Sequence, residues 1–253
     1  VKRIDLNCDV GELPEALADG SQEAVLRQVT SANIACGGHA GDAQMMRATI
    51  EQAQRCGVAI GAHPGYEDRA NFGRIALALS GEELAASVYR QVVALADVAE
   101  RCGAHIRHVK PHGALYNQAA KDRAIAQAIA EGVARWRRDV VLVGLAGSVM
   151  LEEFRAAGFA AAAEGFADRK YEADGSLRPR TSRDALLHEP AEAAAQAVRM
   201  AKEGSVVAAN GAVIALKVAT ICIHGDTPGE AQIAAAVRRA LEDAGITVRA
   251  LGE

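Results

Sequence analysis

Aromatic residues make up only 4% of the 253-residue chain, and it contains six prolines. With so few bulky rings, the core must be built from small and branched aliphatic side chains; apolar residues of all kinds reach 50%, enough to bury a large interior. No Pro/Ser-rich linker or block of like charge divides the sequence, so a single domain spanning residues 1–253 is expected. An excess of one charge is also missing: 28 Lys+Arg against 32 Asp+Glu leave a net charge of −4. That balance offers no basic stripe for nucleic acid and no cationic anchor for a membrane surface. Long hydrophobic runs are absent too, since the stretches 140–147 and 205–223 are too short, or interrupted by Asn210 and Lys217, to span a bilayer. The first residues turn polar within a few positions and lack the apolar core of a secretory signal, so a cytoplasmic location is expected. Five cysteines, an odd number with no C-x-x-C pair, predict reduced thiols and argue against a zinc ribbon or redox pair.

What the sequence does have is a repeated unit. Five helix-like stretches end in glycine, at Gly57, Gly103, Gly158, Gly204 and Gly245, and each is followed by a short apolar run. Glycine is the residue best suited to the left-handed dihedrals at a helix C-terminus. Ser80-Gly81-Glu82-Glu83 has the spacing of a capping box, and Thr227-Pro228-Gly229-Glu230 resembles one with proline at the first helical position. Leu84, Val88, Val92 and Leu95, and again Ile233, Val237 and Leu241, recur at helical intervals. With strands expected at 3–8, 31–36, 140–144 and 217–223, the order alternates strand and helix, which implies a parallel sheet. No Gly-x-Gly-x-x-Gly turn follows the first strand, so a TIM-like (β/α) barrel, of eight parallel strands or of seven, is favoured over a dinucleotide-binding sheet. Asn210-Gly211, set between apolar residues, predicts a small antiparallel hairpin interrupting the alternation.

In such barrels the reactive groups sit at the C-terminal ends of the strands. The first strand alternates Ile4, Leu6, Cys8 and Val10 with Asp5, Asn7 and Asp9, a polar row expected to face a functional lumen, with Asp9 nearest the strand end. The second strand runs into Gly37-Gly38-His39, where paired glycines allow close backbone approach, and then Asp42, readable as a helix N-cap or a site residue. The third ends at His63, followed by a loop carrying Arg69 and Arg74, either of which could fix a small anion. The fourth leads into Lys110 and His112, which share parity; His108, one step deeper, reads as a packed histidine and His105 as structural. Tyr116 and Asn117 follow at a helix entry. Glu164 ends an alanine-rich run, and His224 and Asp226 close the last of these strands. Cys8, Cys36 and Cys222 read as buried thiols.

Taken in order, Asp5 to Glu12, Asn33 to Asp42, Gly61 to Gly65, Phe72-Gly73-Arg74, Val109 to Asn117, Glu164 to Arg169 and Ile221 to Asp226 resemble the LamB/YcsF family over nearly the whole chain. Two departures are Gly38, where the family usually has Phe, and Ile75, where a second Arg commonly follows Arg74. The resemblance implies a seven-stranded barrel like that of some carbohydrate deacetylases. It also implies the ATP-dependent 5-oxoprolinase reaction, opening of 5-oxo-L-proline to L-glutamate together with two partner subunits. For that chemistry Asp9 with His63 or His112 would supply base and acid, and Lys110 would steady the oxyanion. Asn7, His39, Arg74, Glu164, His224 and Asp226 are the expected substrate contacts. No Gly-x-x-x-x-Gly-Lys-Ser/Thr loop occurs, so ATP is expected to act through the partner subunits. Asp9, His63 and His112 also have the ligand chemistry for a divalent metal, though no H-x-x-x-H signature is present. Two rival readings are a stand-alone metal-dependent deacetylase or amidohydrolase and a non-catalytic lactam-binding scaffold.

Overall fold

The computed structural model describes residues 3–223 and 229–252. Its strands, numbered in chain order, begin with β1 (Arg3–Val10), β2 (Ser31–Ala35), β3 (Ala59–His63), β4 (Ile106–Val109), β5 (Val141–Leu145) and β6 (Ala160–Phe166). A short pair follows, β7 (Ser205–Val207) and β8 (Val213–Ala215), then β9 (Thr220–Ile223) and β10 (Thr247–Val248). Strands β1 to β6 and β9 pair in parallel in that order, and β9 returns to β1 with Asp5 opposite Thr220 and Cys8 opposite Ile223. The sheet is therefore a closed, parallel barrel, as the alternation favoured, with the seven strands that the family resemblance implied.

The helices are α1 (Pro14–Ala18), α2 (Ser21–Leu26), α3 (Ala43–Cys56), α4 (Gly81–Arg101), α5 (Gly113–Ala119), α6 (Arg123–Ala134), α7 (Val149–Ala156), α8 (Pro190–Glu203) and α9 (Glu230–Asp243). All five helix-ending glycines take positive φ, between 62° and 86°. The Ser80 capping box is complete: the Ser80 backbone N–H donates to Glu83 Oε2 at 2.8 Å and the Glu83 N–H to Ser80 Oγ at 3.3 Å. Of the second start signal, Thr227 and Pro228 lie outside the described residues. The apolar stripes of α4 and α9 are buried as expected, and with the outward faces of the strands they form the aliphatic core between barrel and helices. Leu6, Cys8, Ile34, Ala62, Val109 and Leu142 are each fully covered.

Two apolar runs from the repeat do not enter the barrel. The run after Gly204 becomes β7, which pairs antiparallel with β8, Ser205 opposite Ala215. The expected hairpin forms, but its loop is three residues long, Ala209 to Gly211, with Gly211 at φ 85° and the Ala208 N–H donating to the Ala212 carbonyl at 2.8 Å. The run after Gly245 becomes β10, which pairs only with the start of β1. All five cysteines are free thiols. Among the described residues no helix is long and apolar enough to cross a membrane.

Candidate active site

Closing the barrel turns the polar row of β1 inward, but its three members reach three different depths. Asp5 lies deepest. Its carboxylate accepts from Thr30 Oγ1 and Ser31 Oγ, each at 2.7 Å, and from Thr220 Oγ1 at 2.5 Å. Burial nevertheless holds this carboxyl above its ordinary pKa, against the pull of the three hydroxyls.

Asn7 forms the next layer. Its Nδ2 donates to Glu164 Oε1 at 2.9 Å and Thr220 Oγ1 at 2.7 Å, while its Oδ1 accepts from Asn33 Nδ2 at 2.7 Å. His108 Nε2 donates to Asn33 Oδ1 at 2.8 Å, and burial, with the Lys110 charge, lowers this imidazole to about 3, so the ring is neutral. It is the packed histidine that its depth in the strand suggested. Gly61 makes room for it, since a Cβ there would stand 2.1 Å from His108 Nε2.

Lys110 joins this floor to the rim. Its ammonium lies 2.9 Å from Asp9 Oδ1, 3.0 Å from Glu164 Oε1, 3.1 Å from Cys222 Sγ and 3.3 Å from Asn7 Oδ1. An ammonium has three protons, and four protein acceptors already surround it. Burial works against the charge, but Asp9, Cys222 and Glu164 overcome it and hold the Lys110 pKa well above the ordinary value. Lys110, expected as an oxyanion donor, lines the cavity with its ammonium already within reach of Asp9, Glu164, Cys222 and Asn7.

At the rim, three histidines converge on a glutamate. Glu12 Oε1 is 2.9 Å from His39 Nε2, 3.2 Å from His112 Nδ1 and 3.8 Å from His63 Nε2. His63 Nε2 and His112 Nδ1 are 3.0 Å apart, and Asp9 Oδ2 is 3.4 Å from His63 Nε2. The far nitrogens fix the tautomers. His63 Nδ1 donates to the Lys110 carbonyl at 2.7 Å and His112 Nε2 to the Phe72 carbonyl at 2.9 Å, because a carbonyl can only accept. Neutral rings held this way would face each other with two lone pairs, beside a carboxylate. The cluster is consequently built to hold an added proton or a cation at its centre. The ligand atoms of Glu12, His39, His63 and His112 all lie within 4.8 Å of one another, a group that could hold a metal ion. Of the metal candidates expected from sequence, His63 and His112 belong to this group, which adds Glu12 and His39, and Asp9 lies beside it with Oδ2 3.4 Å from His63 Nε2.

Electrostatics agree with this geometry. Burial disfavours charge on both Glu12 and His63. For Glu12 the neighbouring His112 and His39 more than reverse it, holding the carboxyl well below the usual carboxylate range. For His63 the Asp9 charge and hydrogen bond and the Glu12 charge win, raising the imidazole. His39 goes the other way, lowered to about 4 chiefly by burial. It stacks on His112 with centroids 3.6 Å apart and planes 2° from parallel. Gly73, at φ 63°, permits that stack, since a Cβ there would lie 2.7 Å from His39 Cβ and 3.1 Å from His112 Cδ2.

These groups open onto a cavity of about 740 Å³ whose lining includes Asp9, Glu12, His63, Lys110 and His112 on one side and Arg74, Tyr116, Asn117 and Arg169 beyond. Four of the expected residues, Asp9, His63, Lys110 and His112, are thus brought together, and Arg74 lies farther out with its guanidinium 4.9 Å from the Phe72 ring centre. Asn7 and Glu164, expected at the substrate, lie beneath the lining and hold Lys110, while His39 backs His112. His224 and Asp226 lie outside the described residues. Asp42 caps α3, its carboxylate accepting from the Gln44 and Met45 N–H groups at 2.9 Å. Arg69 straps two turns together through the Gly37 and Gly41 carbonyls. At Gly38 the close approach is by protein: a Cβ would stand 2.3 Å from Gln91 Oε1, and Gln91 brackets the Gly65 backbone. Ile75 is 52% exposed.

Sequence reasoning missed Glu12. Inward parity stops at the strand end, and Gly11, at φ 71°, turns the chain so that the next side chain swings back over the barrel mouth. The acidic residue directly after a strand-ending glycine was the available signal.

Residues 4–253 match the LamB/YcsF family. Over 247 residues the chain is 50% identical to a protein of Chloroflexus aurantiacus named as the A subunit of 5-oxoprolinase, covering 98% of each. The crystal structure of a lactam utilization protein from Thermus thermophilus is similar at TM-score 0.91 and 43% identity, across 98% of this chain and 100% of that one. A family 4 carbohydrate esterase from Streptomyces lividans, at 10% identity and TM-score 0.54 over 98% of this chain and 91% of its own, shares the fold. The family match runs through all seven barrel strands and the loops that carry the histidine cluster, and this chain belongs to the LamB/YcsF family.

Proposed function

We propose that this chain is the ring-opening subunit of an ATP-dependent 5-oxoprolinase, which with two partner subunits hydrolyses 5-oxo-L-proline to L-glutamate. The observation that carries it is the His63–His112 pair, 3.0 Å apart with fixed tautomers, beside Asp9 at the wall of the cavity. The names of the relatives at 50% and 43% identity point the same way.

Lactam hydrolysis needs a base for the attacking water and an acid for the departing nitrogen. Water oxygen bonds to the ring carbonyl carbon, the C–N bond breaks, and the nitrogen leaves with a proton as the amine of glutamate. His63, held by Asp9 and by the Lys110 carbonyl, takes the proton from water, and the adjoining His112 is placed to pass one to nitrogen. Lys110 pairs with Asp9 and aligns it. The chain has no phosphate-binding Gly-x-x-x-x-Gly-Lys-Ser/Thr loop, so ATP activates the lactam on the partner subunits.

The same centre, when no proton lies between the two rings, would instead hold a divalent cation. His63 Nε2, His112 Nδ1 and Glu12 Oε1 present lone pairs to a common point, with both rings anchored from behind by carbonyls, the usual support of ligand histidines. When bound, such an ion supplies a water that ionises near neutral pH.

The test is glutamate formation from 5-oxoproline and ATP by the chain alone, the partners alone and the mixture. Activity confined to the mixture, and lost with His112→Ala although assembly persists, is the expected result. Amide or ester hydrolysis by the single chain without ATP would favour the deacetylase reading, and full mixture activity with His112→Ala would make the barrel a scaffold.

A further inference from the structure

Arg169 sits in the loop after β6, on the wall of the cavity that also holds His112, and is 5% exposed. Its Nη2 donates to the Arg178 carbonyl at 2.6 Å, and its Nε is buried without a hydrogen-bond partner. Among the described residues no carboxylate lies within ion-pair distance of this guanidinium. The other buried cation of the cavity is treated quite differently: Lys110 is met by both Asp9 and Glu164. Leaving a charge buried without a counter-ion is costly, and arginine cannot escape by losing its proton. Arg180, on the same wall, makes matters worse, since burial first and then the Arg180 charge disfavour the Arg169 cation, with only partial relief from Asp168.

The backbone that carries this group is nonetheless held in place. Arg169 bridges to Leu186, and its carbonyl accepts from Gln196 Nε2 at 2.8 Å. Phe166, Leu177 and Pro179 give the adjoining wall an apolar surface. A guanidinium with an unmet charge, set beside apolar surface in the cavity that the acid–base cluster also lines, is a receptor for a small anion with an apolar body.

We propose that Arg169 binds the carboxylate of the lactam acid and so presents the ring carbonyl to the His63–His112 side of the cavity. The identity of the ligand rests on the ring-opening reading; the anion subsite does not. Arg169 is a specificity-determining residue here, and Arg180 raises the local positive potential.

The experiment compares binding of 5-oxoproline and of 2-pyrrolidinone, the same ring without the carboxylate, to the full chain by calorimetry, for the wild type, Arg169→Met and Arg169→Lys. The wild type is expected to prefer 5-oxoproline by about 10- to 100-fold, the worth of one or two hydrogen bonds to a charged group. Arg169→Met should erase the preference, and Arg169→Lys, which keeps charge but loses the planar fork, should retain only part of it. If the Met variant fails to fold, the Lys variant decides, and an undiminished preference there overturns the subsite. No preference in the wild type overturns it as well. Inorganic phosphate or ATP displacing 5-oxoproline from the wild type at comparable concentration would make this a phosphoryl site and overturn the carboxylate assignment. In the reconstituted complex, Arg169→Met should raise KM for 5-oxoproline by the same factor with a smaller change in kcat. Glutamate formation with unchanged KM overturns the subsite and leaves the reaction standing. Arg169-dependent binding without glutamate formation by the complete mixture overturns the reaction and leaves the subsite.

Discussion

The floor and the rim of this barrel are both built from buried polar side chains and behave in opposite ways. On the floor, Asn7, Asn33, Thr220 and Glu164 meet donor with acceptor, and the Lys110 charge is met by two carboxylates. At the rim, His63, His112 and Glu12 turn acceptor toward acceptor, and a proton or cation must come from outside the set to reconcile them. Polar burial by itself therefore says little about function. A saturated network rigidifies the barrel, whereas one that is short of a proton can take one up and give it away.

The sharpest way to break this contrast is to remove one group from each layer. His112→Ala should lower glutamate formation by the reconstituted complex by about 10²- to 10⁴-fold, the usual worth of a positioned acid or base. Its urea midpoint should move less than that of a floor variant, although the buried ring gives up its bond to the Phe72 carbonyl and its stack on His39. Glu164→Gln should do the reverse. Removing one carboxylate from Lys110 leaves a buried charge under-compensated and is expected to cost about 3 kcal/mol in urea unfolding, with the rate per folded molecule changing less than about tenfold. A large rate loss at unchanged stability in Glu164→Gln would mean that the floor takes part in the chemistry.

A milder effect distinguishes proton from cation at the rim. Chain stripped by exhaustive chelation and then given zinc at about 100 times its Kd should gain roughly 2.7 kcal/mol, seen as a rise of several degrees in Tm by calorimetry, with bound metal confirmed by mass spectrometry. Glu12→Gln and His112→Ala should each abolish the gain. Equal gains in the variants would place the ion elsewhere, and no gain in the wild type would leave the centre to a shared proton.

Much of the fold was legible because its signals are local. Helix-ending glycines, the Ser80 capping box and the Asn210-Gly211 turn each follow from backbone preferences of a few residues, and strand–helix alternation then leaves little choice but a parallel sheet. Strand runs at 205–207 and 247–248 were legible as strands, but whether a strand joins the barrel depends on long-range pairing that no local pattern encodes. In the site, parity showed which side chains of β1 face inward but not how deep each one sits. Asn7 therefore read as a substrate contact although the registers of β2, β6 and β9 place it under Lys110. Glu12 and Arg169 come from loops, where the direction of a side chain is set by turns such as Gly11 and by packing against distant segments such as Arg178 and Gln196.

Asp42 provides the finest test, because the sequence allowed it either role and it follows His39 by three residues in the same loop. Its carboxylate accepts two N–H bonds at the first turn of α3, which satisfies donors that the helix cannot pair itself. Asp42→Ala should therefore lower stability by about 1 kcal/mol in urea unfolding, Asp42→Asn should restore most of it, and neither should change the rate of glutamate formation. A rate loss in Asp42→Asn, which keeps the cap and removes only the charge, would extend the functional rim into this loop and put the boundary between the two layers in the wrong place.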